Sequence, residues 1–360
     1  SAASDVYKRQ AVLLHAAKIT IIGINLHTHI MDNVISFTFL YSGTRRNDVC
    51  SCLTATGTPH GTQPQHIKIT GRMLAPCVFY SYICIEKHFI GFILYKKQIM
   101  NITDIHVVYF SATYTTRTIV REIAKAIGGN IIEHDVTNAL PEDEITLSGD
   151  NSMLIVGAPV YVGRIPEAAA EALKMVHGNN TPAVAVCVYG NRDYDDALLE
   201  IKDTLNGNGF RTFAAGAFIG RHCIFPKVAE GRPDASDLEK AAAFGKRCAK
   251  LLADAAGTDA LGDPEVKGNR PYREAHKVPM CPTGDKKTCT KCMTCARLCP
   301  AGAISESDPC STDTSKCIAC GRCVVVCPHG SRAIYLPAYA EAAAKFTAAF
   351  SARREPETFF

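Results

Sequence analysis

Residues 289–300 read CTKCMTCARLCP, and residues 317–328 read CIACGRCVVVCP. Both are C-x2-C-x2-C-x3-C-P. Thiolates at this spacing suit iron–sulfur chemistry, because soft sulfur binds iron and carries no titrating proton once bound. Three close cysteines can hold three corners of a four-iron cubane. The fourth, set off by three residues and a proline, ligates the other cluster. Cluster one is therefore expected on Cys289, Cys292, Cys295 and Cys327, and cluster two on Cys317, Cys320, Cys323 and Cys299. Structural zinc needs four ligands, which C-x2-C pairs could supply, but a doubled eight-cysteine run with both prolines fits zinc poorly and disulfides worse. So small a module buries little apolar surface, and its folding should depend on the clusters. Cys281 and Cys310 fall outside the pattern and are expected as loop thiols.

Three further stretches could bind a ligand. SATYTT offers the hydroxyls of Ser111, Thr113, Thr115 and Thr116 at a helix start. Free N–H groups and the helix dipole favour an anion there. No lysine is present, so it is not a Walker loop; plain helix capping is the other reading. In APVYVGRIP (158–166), Pro159 and Gly163 flank Tyr161, which could present a flat face or be a core tyrosine in a turn. In YGNRDYDDAL (189–198), Gly190 and Asn191 tolerate unusual dihedrals. Tyr194 is a second candidate stacking face, or part of a helix cap.

The elements that must position these loops alternate along the chain. IHVVYF (105–110) is an apolar, β-branched run. Ile119, Ile123 and Ile127 then recur on one helix face, closed by Gly128 and Gly129. Strands are expected at 130–135, 153–158, 183–189 and 212–219. Helices are expected from Pro166, around Ala197–Leu205, and from Ser236, whose SDLE reads as a capping box. Such alternation implies a parallel sheet covered on both faces, with its ligand at the carboxyl ends of the strands. The stretch 256–288, rich in Gly, Pro and charge, reads as a connector. AEAAAKFTAAFSARR (340–354) reads as a terminal helix that could pack on either domain.

A hydroxyl-only loop after the first strand, with aromatic loops after the third and fourth, resembles the flavodoxin pattern over about 104–255. The resemblance implies FMN, with Ser111, Thr113, Thr115 and Thr116 at its phosphate. Pro159, Tyr161, Gly163, Gly190, Asn191 and Tyr194 would border its ring. One departure is Tyr114, where flavodoxins commonly carry glycine. With the cysteine repeat added, residues 100–360 resemble the flavodoxin–ferredoxin fusion proteins of anaerobic bacteria. The expected fold class is α/β, a flavodoxin-like doubly wound parallel sheet followed by a small α+β two-cluster ferredoxin domain. The expected domains are 100–255 (FMN domain), 256–288 (linker), 289–335 (two [4Fe-4S] clusters) and 336–360 (C-terminal helix and tail). The resemblance implies electron transfer between FMN and two [4Fe-4S] clusters, with redox protein partners and no catalytic side chain, a carrier rather than a dedicated oxidoreductase. A reductase of a small substrate and an iron–sulfur redox sensor with an empty flavodoxin-like domain are the alternatives. No G-x-G-x-x-G marks a nicotinamide site.

The whole-chain figures bound these readings. The chain has 360 residues and seventeen cysteines, ten of them within 281–327. That clustering favours metal over a disulfide framework. No secretory signal and no uninterrupted apolar span is visible, so a cytoplasmic protein without membrane partners is expected. The net charge of +4 arises in residues 1–99, with ten Lys/Arg against four acids; residues 100–360 carry 29 basic and 31 acidic residues. A basic balance confined to that stretch gives no reason to expect a nucleic-acid partner. Residues 1–99 also sustain neither helical nor strand periodicity, and SDVYKRQ resembles a translated library adapter. The native chain is expected to start at Met100, with 1–10 an artefact and 11–99 translated upstream DNA; a genuine, poorly patterned N-terminal domain is the alternative, and peptides from 11–99 in the native protein would decide for it.

Overall fold

The structure is a computed structural model that describes residues 100–148 and 151–360, together with four strands among the first hundred residues. It divides after Lys96 into two compact units. In the first unit β1 (Asn25–Met31), β2 (Val34–Leu40), β3 (Cys52–Gly57) and β4 (Lys68–Thr70) pair in chain order as an antiparallel meander. The rest of 1–99, and with it the expectation about its origin, lies outside the described residues.

The second unit is built on a six-stranded sheet. Its parallel strands are β5 (Asp104–Tyr109), β6 (Asn130–Asp135), β8 (Ser152–Pro159), β10 (Thr181–Tyr189) and β11 (Phe210–Ile219). Their spatial order is β11-β10-β8-β5-β6. Numbered along the chain from β5, this is the 2-1-3-4-5 order of the flavodoxin-like doubly wound fold. The fold class is therefore α/β as expected, and it follows from the strand order alone. β8 and β10 are buried throughout, which explains their unbroken apolar runs. A short parallel pair, β7 (Ile145–Leu147) with β9 (Val176–Gly178), flanks the sheet.

Helices α1 (Thr115–Ile127) and α4 (Ala235–Asp254) cover one face, and α2 (Glu167–Leu173) and α3 (Ala197–Gly207) the other. Ile119, Val120, Ile123 and Ala124 of α1 are fully buried against β5 and β8, as their spacing requires. The capping box of α4 uses Asp234 and Asp237, two residues before the expected one. Asp237 serves better because its carboxylate also meets the Arg232 guanidinium.

The cysteine-rich part is small: β12 (Thr283–Gly284) pairs with β13 (Arg332–Ala333), and single turns α5 (Thr294–Arg297) and α6 (Arg322–Val325) carry the third cysteine of each run, Cys295 and Cys323. Helix α7 (Tyr339–Phe350) returns to the large sheet. Its Tyr339 hydroxyl donates to the Ile224 carbonyl at 2.8 Å, and Phe346 packs on His222 and Phe225. Beyond it β14 (Glu357–Phe359) adds a sixth, antiparallel strand at the β11 edge, an element absent from the sequence expectations. The cysteine module is thus tied to the sheet at both ends. On the connector side Asp196 accepts from the Asn269 and Arg273 N–H groups, and Arg270 and Tyr272 both bond Asp203.

Candidate functional site

The carboxyl ends of the parallel strands open into a cavity of about 490 Å³, within the range of ligand pockets. One wall is the first loop: Thr113, Thr115 and Thr116 line it at the start of α1. Tyr114 takes a left-handed conformation there, φ +69°, in the region glycine occupies freely. This accounts for the glycine that the flavodoxin pattern leads one to expect. The tyrosine ring lies under the guanidinium groups of Arg117 and Arg322, 4.8 and 5.4 Å from its centroid. Such contacts contribute about 0.5–2 kcal/mol each and offset the backbone cost.

The second wall is the loop after β8, with Pro159 and Tyr161 on the cavity. Arg164 positions this loop through two bonds to Glu200 at 2.7 and 2.8 Å, while the Ile165 N–H donates to the same carboxylate. Burial, then the neighbouring thiols of Cys320 and Cys223, pushes the Tyr161 hydroxyl well above its ordinary pKa, so it stays protonated. The third wall is Gly190. A Cβ there would meet His222 Cδ2 at 2.6 Å and its Cα at 2.9 Å, so only glycine lets the two loops approach this closely.

Four expected residues are not on the cavity. The Ser111 hydroxyl accepts from the Arg117 N–H at 3.0 Å and so caps the loop from within. Gly163, φ +83°, sits where a Cβ would strike the Asp195 carboxylate. Asn191 donates to the Phe350 and Ala352 carbonyls and accepts from the Arg354 N–H. It fastens the C-terminal segment. Tyr194 is fully buried, donates to Glu357 at 2.7 Å, and packs on Tyr189. The flavodoxin resemblance of their loops puts these four at the ligand; partners 150 or more residues away draw Asn191 and Tyr194 inward.

The loop after β11 supplies what the three-loop reading missed. Gly220 to Phe225 line the cavity, with Phe346 of α7 packed against His222 and Phe225 beside them. The strand-end rule contained the signal, since this loop leaves the same edge. His222 Nδ1 accepts from the Ile224 and Phe225 N–H groups, both at 3.1 Å. Burial, then the charge of Arg192, lowers its pKa to about 4. Between pH 6.5 and 4 the unfolded chain therefore binds the proton and the folded chain does not, so stability falls as pH drops through that window. We expect a loss of about 2–3 kcal/mol between pH 7 and 4.5 in urea unfolding. His222→Gln should flatten this profile; an unchanged slope would refute the assignment.

The fourth side of the cavity belongs to the cysteine module: Cys317, Ile318 and Ala319. Gly321 makes the approach possible, since a Cβ there would lie 2.9 Å from the Cys223 carbonyl oxygen. Arg322, buried, donates to the Ser111 and Ala112 carbonyls at 3.3 and 3.1 Å. It pins the second cysteine run to the first loop of the sheet.

Within the module the thiols surround two smaller cavities. Cys289, Cys292, Cys295 and Cys327 line one; Cys299, Cys317, Cys320 and Cys323 line the other. These are the two crossed sets read from the spacing. Each set is four thiols around one space, a soft donor set suited to iron–sulfur chemistry. N–H donors reach the sulfurs in matching positions, Ala303 to Cys299 and Ser331 to Cys327, both at 3.3 Å. Burial pushes the Cys317 thiol up to about 12, so a thiolate there needs a cationic partner. The guanidinium of Arg332, also buried, lines the first cavity and bonds the Pro282 and Pro309 carbonyls.

Among the described residues no helix is long and apolar enough to cross a membrane. Residues 311–332 match the 4Fe-4S binding domain family. No curated protein matches the chain. Solved structures similar to it include a flavodiiron core from Synechocystis sp. PCC6803, at 15% identity and TM-score 0.32, covering 43% of this chain. A flavodoxin from the domain Archaea is 14% identical, with TM-score 0.28 over 42% of this chain. A WrbA-like flavodoxin from Agrobacterium tumefaciens is 16% identical, with TM-score 0.31 over 42%. The match spans 37% of the flavodiiron core, and 99% and 97% of the other two. The C-terminal part of this chain thus carries a 4Fe-4S binding domain, and the sheet before it has the flavodoxin-like strand order.

Proposed function

We propose that residues 100–360 form an electron-transfer protein in which FMN occupies the 490 Å³ cavity and two [4Fe-4S] clusters occupy the two cysteine-lined sites. The observation that carries this reading is the shared wall: Cys317, expected on the second cluster, also borders the cavity between the loops after β5, β8, β10 and β11. When bound, FMN exchanges electrons singly or in pairs and each cluster exchanges one, so together they link paired to single-electron donors.

The chain's own residues bind, orient and exclude water. Thr113, Thr115 and Thr116 offer hydroxyls at the positive end of α1, suited to a phosphate. Pro159, Tyr161 and Gly190 border the space for a flat ring. The neutral His222 and Phe346 close its far side. Arg322 keeps the cysteine module against the first loop, and therefore keeps the second site nearer the cavity than the first. No proton donor or acceptor is required of the side chains.

Anaerobic purification with flavin, iron and sulfide counts tests the reading. We expect about one flavin and about eight irons per chain. Intact clusters without flavin would favour a redox sensor instead, and steady turnover of one organic acceptor without a protein partner would favour a reductase.

A further inference from the structure

The repeat breaks its own symmetry at one buried position. In each run one residue stands five places after the fourth cysteine, Ile304 after Cys299 and Arg332 after Cys327. The residue before each donates its N–H to that cysteine's sulfur, Ala303 to Cys299 and Ser331 to Cys327, so the two positions are equivalent. Each lines the cavity of its own fourth cysteine, Ile304 the second and Arg332 the first. Both are buried, with 6% and 3% of their surface exposed. A charge thus stands where the other half of the repeat packs hydrocarbon. The Arg332 Nη groups donate to the Pro309 and Pro282 carbonyls and to the Thr312 hydroxyl, all of them neutral. Its Nε–H is buried and has no partner among the described residues. A buried cation surrounded by neutral acceptors, with one donor unpaired, is costly. An anionic acceptor in the cavity it lines would satisfy both needs, and thiolates around iron make one.

We propose that Arg332 sets the reduction potential of the first iron–sulfur site, its Nε–H donating to a sulfur of the bound cluster and its charge favouring the reduced form. The proposal rests on the two-cluster reading above. Reduction adds one electron to the first site. That electron is taken from the second cluster or from an external one-electron donor, which is oxidised by one; no bond breaks and no proton moves. Net charge and hydrogen bonds to the sulfurs are terms by which a protein tunes such a site. Burial makes this cation effective, because little solvent screens it. Ile304, at the equivalent place on the second cavity, supplies neither term. Arg322 on that cavity also keeps a buried, unpartnered Nε–H. Its Nη1, however, docks the module on the first loop of the sheet, so its loss would also disturb that docking.

The experiment is an anaerobic redox titration of full-length chains, followed by electron paramagnetic resonance of the reduced clusters. Arg332→Gln should keep about eight irons. It should lower one cluster's midpoint by about tenfold in the one-electron equilibrium, a shift of about 59 mV, and move the other less. Arg297→Gln removes an exposed charge from the same module and should leave both midpoints in place. Arg332→Lys keeps the charge without the Nε–H, and should hold the midpoint closer to the wild type than R332Q does. In chains carrying isotope-labelled arginine nitrogen, pulsed resonance of the reduced wild type should show nitrogen coupled to a cluster, and R332K should weaken that coupling. A midpoint shift in R332Q no larger than in R297Q would overturn the proposal. Should R332Q load less iron, R332K decides, and undiminished nitrogen coupling in R332K would overturn it equally. A wild-type chain short of eight irons would instead sink the two-cluster reading on which the proposal stands.

Discussion

Replacing Cys327 by alanine is expected to strip iron from the site of Cys289, Cys292 and Cys295, and to leave the Cys317–Cys323 site loaded. The total should fall from about eight irons to about four, with the flavin content unchanged. The prediction runs against sequence proximity, since Cys327 belongs to the second run. It rests on the crossed arrangement, in which Cys327 lines the same cavity as the first triplet. Cys299→Ala should do the converse and empty the site bordering the large cavity. After photoreduction of the flavin, the remaining cluster should bleach in C327A and stay oxidised in C299A, because C299A removes the nearer centre. Loss of iron from the second site in C327A would refute the crossed ligation.

The largest effect on stability is expected at Asp237. Its side chain is fully buried beside the buried Arg232, which donates to it at 2.8 Å. The same carboxylate accepts from the Asp234 N–H at 2.9 Å as part of the α4 cap. Arg232 also donates to the Arg354 carbonyl at 2.7 Å, so the pair ties the loop after β11 to both α4 and the returning tail. Asp237→Ala leaves a guanidinium buried without its counter-charge, and should cost about 3–5 kcal/mol. The double replacement Arg232→Met with Asp237→Leu should cost less than the single one, since no unpaired charge remains. Urea unfolding of the wild type and the two variants measures both; a double variant weaker than D237A would refute the argument.

Much of this was legible in the residues because the relevant physics is local. The two cysteine runs carry their ligand spacing in a dozen residues each, and a proline-flanked fourth cysteine announces that it serves elsewhere. The five long strands and the four helices of 104–254 were readable for a similar reason: Ile119, Ile123 and Ile127 share a helix face, and IHVVYF is a β-branched apolar run that reads as a buried strand; the short pair β7 and β9 was not. The loops at the strand ends followed from that alternation, and six of the ten residues expected there do line the cavity.

What remained belongs to contacts between distant segments, which no local period encodes. Tyr194 and Asn191 looked like ring neighbours until the tail beyond Phe350 covered them. Residues 357–359 form a strand only because the β11 edge offers unpaired backbone groups to it. Cys281 and Cys310 read as loop thiols and do lie in loops, but only the tertiary fold buries them. The sequence alone determined which chemistry the chain can hold, because ligand type and spacing are properties of short peptides. Tertiary structure alone decided that Cys317 shares a wall with the large cavity, because that proximity comes from Arg322 and Gly321 docking one module on the other.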